Sequence, residues 1–361
     1  MKVAILGSGG IGLASAAWLA HHGHEPVLWS PSGAGTRELA AGESLRYSGK
    51  IEGECRPQVA TSAAEAVADA DVILVAVPGN GHRTVMEAAA PHIRPGQVVI
   101  ISSLCSLSAL YLSRLLAGRG VEVPIATWGT TVLTARRRSG TEVAIMTVRT
   151  SLHVATLPVS QAAVGLETCR TLFGDRFIEQ SDVLATSLIN INPVAHFGLA
   201  LCNLTRIERG ENWPQYHYMT DAVSRLITTL DHERLAVASA FGLKIHPIEE
   251  HFHRSFDVPV GDLADIARTI HARRGGPPGP TTLDTRFVHE DVPYGLVFAE
   301  AIGKIAGVDT TVHSAGITVI SAIYGRDFRA ENDLLPVLGL EGLSKEELLR
   351  RAREGWPAAT A

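Results

Sequence analysis

The chain opens on a short unbroken apolar run, Val3–Leu6, followed by a cluster of glycines and then an apolar stretch from Gly10 to Ala20. Four continuous apolar residues bounded by turn residues form the pattern of a strand buried on both faces. The longer stretch has the length of a helix, and Gly23 suits the left-handed residue that ends one. The alternation repeats. Pro26–Trp29, Val72–Val77 and Val98–Ser102 read as further strands, with helical stretches between them. Val143–Val148 and Leu152–Thr156 read as later strands, antiparallel about the polar turn Arg149-Thr150-Ser151. Short strands alternating with helices predict a parallel α/β sheet.

From about residue 180 the periodicity becomes helical, over Leu184–Arg206, Met219–Phe241, Leu263–His271, Tyr294–Ala306 and Ser314–Tyr324. The glycine- and proline-rich interval Arg273–Thr282 reads as a loop, because its prolines cannot donate to helix or sheet. From Ser344 a capped, charged helix is expected, then a loose tail from Pro357 to Ala361. Two domains follow, 1–180 and 181–361, the second all-helical.

Composition narrows the classes. The 361 residues are 46% hydrophobic and 19% charged, enough for sizeable cores. A net charge of −5 argues against a nucleic-acid partner, which calls for a broad basic face. Cysteines 55, 105, 169 and 202 show no CxxC pair or metal-ligand spacing and suit a reducing compartment. The first apolar run is too short for a secretory signal. No run is read as reaching the roughly 18 apolar residues of a membrane span. The expectation is a cytoplasmic protein with no membrane partner; a homodimer is left open.

Gly7-Ser8-Gly9-Gly10-Ile11-Gly12 matches G-x-G-x-x-G directly after a strand and at the start of a helix, the context that gives the motif meaning. Gly7 would permit the tight turn, Gly9 the approach of a pyrophosphate, and Gly12 close packing of helix on strand. The helix start offers unpaired N–H groups to phosphate. The first domain is therefore expected to be a Rossmann-type doubly wound parallel sheet that binds a nicotinamide dinucleotide. An acidic residue about twenty positions on would select NAD. Ser30 stands there instead, and its hydroxyl with Arg37 could receive a 2′-phosphate, so NADP(H) is favoured over NAD(H). Val77, Pro78 and Asn80, at the carboxyl end of a strand, are expected to approach the cofactor's ribose or nicotinamide.

In the second half two segments stand out: Asn190-Ile191-Asn192-Pro193-Val194-Ala195-His196 and Arg286-Phe287-Val288-His289-Glu290-Asp291-Val292-Pro293-Tyr294-Gly295. Together with the glycine turn, and in this order, they resemble the opine dehydrogenases, and the resemblance covers most of the chain. It implies reductive condensation of an amino acid's amine with a 2-oxo acid, using NAD(P)H, with His196 and Asp291 as the catalytic pair. A histidine titrates near the working pH and can move the protons of imine formation, while a carboxylate fixes its tautomer. The product carries two carboxylates. Arg286 is the first candidate to clamp one; Asn192, Thr130, Thr131 and the run Arg136-Arg137-Arg138 are further candidates. Asp291 also suits the N-cap of a helix beginning at Pro293.

Other clusters are discounted. His246, His251 and His253, with Glu249 and Glu250, lack a metal motif, so no metal is expected. His21, His22 and His24, at a helix end, read as structural. Two alternatives remain: a 2-oxo or 2-hydroxy acid reductase of the ketopantoate reductase or glycerol-3-phosphate dehydrogenase type, using a lysine such as Lys244 or Lys304, and a non-catalytic dinucleotide-binding regulator.

Overall fold

The computed structural model describes residues 1–357, so the tail expected beyond Pro357 lies outside the described residues. The chain forms two compact units. One comprises Met1–Ser187 plus the stretch from Glu346; the other is Leu188–Lys345. This division differs from 1–180 and 181–361 chiefly at the end of the chain. Arg353 pairs with the buried Asp182 at 3.3 Å, and the Trp356 N–H donates to Ser113 Oγ at 2.9 Å, so the helix Lys345–Glu354 belongs with the first unit.

In the first unit the apolar runs form strands β1 (Lys2–Leu6) and β2 (Glu25–Trp29). They are followed by β3 (Leu45–Gly49), β4 (Gly53–Cys55), β5 (Gln58–Val59), β6 (Val72–Val75) and β7 (Val98–Ile101). Beyond these come β8 (Ile125–Trp128), β9 (Leu133–Arg137), β10 (Glu142–Val148), β11 (Leu152–Leu157) and β12 (Phe177–Glu179). The main sheet has the order β12-β11-β8-β7-β6-β1-β2-β5. Every neighbouring pair in it is parallel except β8–β11. Ile5 stands between Leu28 and Leu74, which is why β1, β2 and β6 carry no polar alternation.

A second sheet, β4-β3-β10-β9, was not expected. It corrects the pairing of the two late strands: β10 pairs with β3 and β9, whereas β11 joins the main sheet antiparallel to β8. Helix Gly10–His21 lies between the two sheets, and all of Gly12–Leu19 is buried. A helix covered on both sides needs apolar residues all round, and this one has no polar stripe.

Among the described residues the second unit carries helices and no strand, with one isolated bridge between Pro214 and Pro278. The helix expected over Leu184–Arg206 is broken into Val183–Leu188, Asn192–Cys202 and Leu204–Glu208. Asn190 Oδ1 accepts the Asn192 N–H at 3.0 Å, a local turn that competes with the helix, and Pro193 cannot sit in a helix interior. The stretch Val183–Cys202 reaches a mean hydropathy of 1.3, contrary to the expectation that no segment is long and apolar enough to span a membrane. Of its most apolar window 78% is buried, the usual state of a core helix. Helices Asp221–Ala240, Leu263–Arg274, Val297–Ala306 and Thr311–Tyr324 complete the frame around a core that includes Phe197, Ile227, Leu230, Ile317 and Phe328.

Candidate active site

The glycine turn is shaped by close approach. Gly7 adopts φ +134°, and a Cβ there would lie 2.4 Å from the Ala76 carbonyl oxygen; one at Gly12 would lie 2.1 Å from the Gly7 oxygen. No atom lies within 4 Å of the place a Gly9 Cβ would occupy. The helix starting at Gly10 has no side-chain cap, and the first N–H groups of such a helix start have no intrahelical partner. An uncapped helix start behind a glycine turn is chemically suited to a pyrophosphate.

At the end of β2 the Ser30 hydroxyl is buried and, among the described residues, has no hydrogen-bond partner. Arg37 is exposed at the head of the short helix Arg37–Ala40. Arg137, one of the further candidates for the substrate clamp, is engaged with backbone on the dinucleotide side. Its guanidinium donates to the carbonyls of Ser8 at 3.1 Å, Gly35 at 3.2 Å and Ser139 at 2.9 Å. Strand β9 runs beside the glycine turn, within the same compact unit.

Val77, Pro78 and Asn80 fall where strand β6 gives way to the helix Gly79–Ala89. The Val77 carbonyl accepts from His82 Nε2 at 3.2 Å, and His82 Nδ1 accepts from Ser108 Oγ at 2.8 Å. His82 is fully buried and its pKa is pushed down from 6.5 to about 4 by desolvation. It therefore holds the loop after β6 to the loop after β7 as a neutral ring. Three non-glycine residues of that second loop, Ser103, Ser106 and Leu107, are left-handed, and the Ser102 hydroxyl is buried without a partner among the described residues. Left-handed residues of this kind cost about 1–3 kcal/mol each and cluster at working sites. The run Ser102-Ser103-Leu104-Cys105-Ser106-Leu107 gave no sequence signal, because nothing in it demands positive φ.

The His82 shift sets a pH dependence. Above pH 6.5 the ring is neutral folded and unfolded; between 6.5 and about 4 only the unfolded chain takes the proton, so stability falls as pH falls. Wild-type protein should lose on the order of 2 kcal/mol more unfolding free energy than His82→Gln between pH 7 and 5, read from urea midpoints. Parallel losses in the two proteins would refute the assignment.

In the second unit the two singled-out segments meet. His196, one turn into the helix Asn192–Cys202, lies 2.8 Å through Nδ1 from Asp291 Oδ2. A carboxylate only accepts, so Nδ1 carries the proton and Nε2 is left as the acceptor of the neutral ring. Phe287 stacks on the imidazole with ring centroids 3.8 Å apart and planes 4° from parallel. Sequence reading missed Phe287, although it stands inside the quoted segment next to Arg286. Asp291 precedes a π-type turn, Val292–Leu296, where Gly295 packs on the Pro193 ring; a Cβ at Gly295 would lie 2.3 Å from Pro193 Cγ. Tyr294 donates to Asp333 Oδ1 at 2.8 Å, and Asn332 Nδ2 donates to the Pro293 carbonyl at 2.7 Å. The aspartate is thus held by backbone packing as well as by its own hydrogen bond. Asp291 makes no side-chain cap to that turn.

Arg286 is exposed at the head of the helix Arg286–His289, which also carries Phe287. Asn192 begins the His196 helix and is half-buried. Thr130 and Thr131 lie in the first unit between β8 and β9, where the Thr131 hydroxyl donates to the Leu133 carbonyl at 2.7 Å. Lys244 and Lys304 are both exposed. His246 pairs with Glu250 at 3.1 Å, and His253 bonds the Val258 carbonyl. Among the described residues no three His, Cys, Asp or Glu side chains gather as metal ligands.

An open glycine turn on a parallel sheet, followed by a helical unit with a histidine–aspartate pair, defines an NAD(P)-binding dehydrogenase. Residues 2–105 match the NAD-dependent glycerol-3-phosphate dehydrogenase N-terminus, and residues 179–324 the alpha-helical domain of NAD/NADP octopine/nopaline dehydrogenases. An opine dehydrogenase from Arthrobacter sp. (strain 1C) is 31% identical over 94% of this chain and 96% of its own. The chain belongs to the opine dehydrogenase family. Among solved structures, octopine dehydrogenase in complex with NADH and agmatine shares the fold with a TM-score of 0.77, 18% identity and 90% coverage of both chains. NADP+-bound yersinopine dehydrogenase does so with a TM-score of 0.69, 16% identity, and coverage of 96% of this chain and 94% of that one.

Proposed function

We propose that this oxidoreductase condenses the amine of an amino acid with a 2-oxo acid and reduces the resulting imine, with the reverse oxidation of a CH–NH bond, using NADP(H) in preference to NAD(H). The observation that carries the reading is the 2.8 Å contact between His196 and Asp291, in a unit similar to that of octopine and nopaline dehydrogenases.

When bound, the dinucleotide supplies a hydride to the imine carbon. The remaining chemistry is proton traffic. Nitrogen adds to the 2-oxo carbon, and the carbonyl oxygen must leave as water, which requires a proton donor. His196 Nε2, protonated, gives that proton, and Asp291 stabilises the imidazolium through Nδ1. In the oxidative direction the neutral ring removes the proton from the amine. Phe287 keeps the imidazole in one plane. Gly7, Ser8, Gly9, Gly10, Ile11 and Gly12 would hold the pyrophosphate, and the loop of Val77, Pro78 and Asn80 the nicotinamide side. Under this reading the first unit binds cofactor and the second binds substrate.

The test is NADPH oxidation with a 2-oxo acid, with and without an amino acid, over a panel containing pyruvate and 2-oxoglutarate. Turnover that requires the amine supports the proposal; equal turnover without it would make the protein a 2-oxo acid reductase instead.

Arg286 is assigned to a substrate carboxylate. A hydrogen bond to a charged group contributes about 1.5–3 kcal/mol, so Arg286→Ala should raise KM for one substrate about 10- to 100-fold. The kcat should change less, and Arg286→Lys should recover part of the loss. Steady-state kinetics with each substrate varied in turn will show it; unaltered KM values for both substrates would remove Arg286 from the site.

A further inference from the structure

The carboxyl end of β2 gathers groups that the amine-coupling reaction does not use. Ser30 offers a buried hydroxyl with no partner among the described residues. Arg37 stands exposed at the head of its short helix, with no ion pair among the described residues. Arg137 reaches in from the second sheet and touches both loops that border this place, bonding the Ser8 carbonyl of the glycine turn and the Gly35 carbonyl of the segment after β2. A Cβ at Gly35 would lie 2.2 Å from Ser8 Oγ and 3.2 Å from an Arg137 terminal nitrogen, so Gly35, Ser8 and Arg137 are packed together.

The electrostatics are one-sided. A guanidinium has five N–H donors, and Arg137 spends three on carbonyls, which carry no charge to cancel its own. One N–H on each terminal nitrogen remains. Glu38, on the same short helix as Arg37, packs over Gly140 instead and pairs with no arginine among the described residues. A NAD ribose is normally met here by a carboxylate accepting from its hydroxyls. The structure puts unspent Arg137 donors and the exposed Arg37 beside the loop after β2, which suits a dianion.

We propose that Arg137, Arg37 and Ser30 form the receptor for the 2′-phosphate of NADP(H), and that Arg137, from β9 of the second sheet, is its principal determinant. The inference rests on the NADP(H) preference stated above and names the residues responsible. Arg137 has two tasks at once: its carbonyl bonds fix the two loops, and its free N–H groups meet the phosphate oxygens. The β3–β4–β9–β10 sheet would then be part of the cofactor-recognition apparatus.

The experiment is equilibrium titration of the full chain, by calorimetry or nucleotide fluorescence, with NADPH, NADH, 2′,5′-ADP and 5′-AMP. In wild type, NADPH and 2′,5′-ADP should bind tighter than their counterparts. Arg137→Gln should weaken NADPH and 2′,5′-ADP about 10- to 100-fold while changing NADH and 5′-AMP less than about threefold. Arg37→Gln, at an exposed position whose loss leaves the fold intact, should lower the same selectivity by a smaller factor. Equal weakening of NADPH and NADH in Arg137→Gln would reduce the arginine to a loop staple and overturn the proposal. So would unchanged binding in both variants, or a wild type that prefers NADH. Failure of the amine-coupling assay alongside selective 2′,5′-ADP loss would overturn the reaction and leave the receptor standing.

Discussion

His196→Ala should lower kcat/KM for amine-dependent NADPH oxidation by about 10²- to 10⁴-fold, the range carried by a positioned acid–base group. NADPH affinity should stay within about twofold, because the glycine turn belongs to a different compact unit. Asp291→Asn should fall by a similar factor despite its nearly identical shape. An amide can donate to Nδ1, which favours the tautomer with the proton on the wrong nitrogen, and it cannot stabilise an imidazolium. The two side chains share one hydrogen bond of 2.8 Å and act as a unit, so the double variant should be hardly slower than either single one. Additive losses, or an alanine variant that keeps a third or more of wild-type turnover, would separate the pair from the chemistry.

The second large effect concerns folding. Asp231 and Arg234, both nearly inaccessible to solvent, form an ion pair at 2.7 Å inside the helical unit. Arg234 also donates to the Leu188 carbonyl at 2.6 Å and the His246 carbonyl at 2.8 Å, and Asp231 Oδ2 accepts the Ile248 N–H at 2.9 Å. Two helix ends and a loop thus hang on one charged cluster. Asp231→Ala leaves a buried guanidinium without its counter-charge and should cost about 3–5 kcal/mol. Asp231→Asn, which can still accept from Ile248, should cost less. Thermal unfolding should show the alanine midpoint lower by about 6–20 °C. A fall of only a degree or two would mean that the cluster relaxes into water.

What the sequence made legible follows physical range. The Rossmann-type unit was readable because Val3–Leu6, Val72–Val75 and Val98–Ile101 are buried on both faces and carry unbroken apolar runs. The glycine turn was readable because only glycine tolerates the contacts at Gly7 and Gly12. The His196–Asp291 contact spans 95 positions and came only through the resemblance of its two segments. Strands β3, β4, β5, β8, β9 and β12 were missed, β8 because Ile125–Trp128 is a buried run of only four residues containing Thr127. In β3, β4 and β9 exposed residues, among them Arg46, Glu54, Arg136 and Arg137, interrupt any apolar run. A clue was nonetheless present in Gly10–His21, whose apolar character all round calls for a layer on each side. The backbone bonds of Arg137 were illegible for the same reason, since they depend on that second layer. The break at Asn190–Pro193 was signalled by its own residues and was overridden by the hydrophobic period around it.

The return of the last helix to the first unit has a consequence for how the protein is made. Topologically the helical unit is an insertion, entered after Ser187 and left before Glu346. Domains generally fold in the order they leave the ribosome. Here the cofactor unit, although its strands come first, waits until the whole inserted unit has been synthesised before Arg353 can pair with the buried Asp182. The inserted unit has every one of its own residues beforehand. Completion therefore runs inside out, with the dinucleotide half finished last.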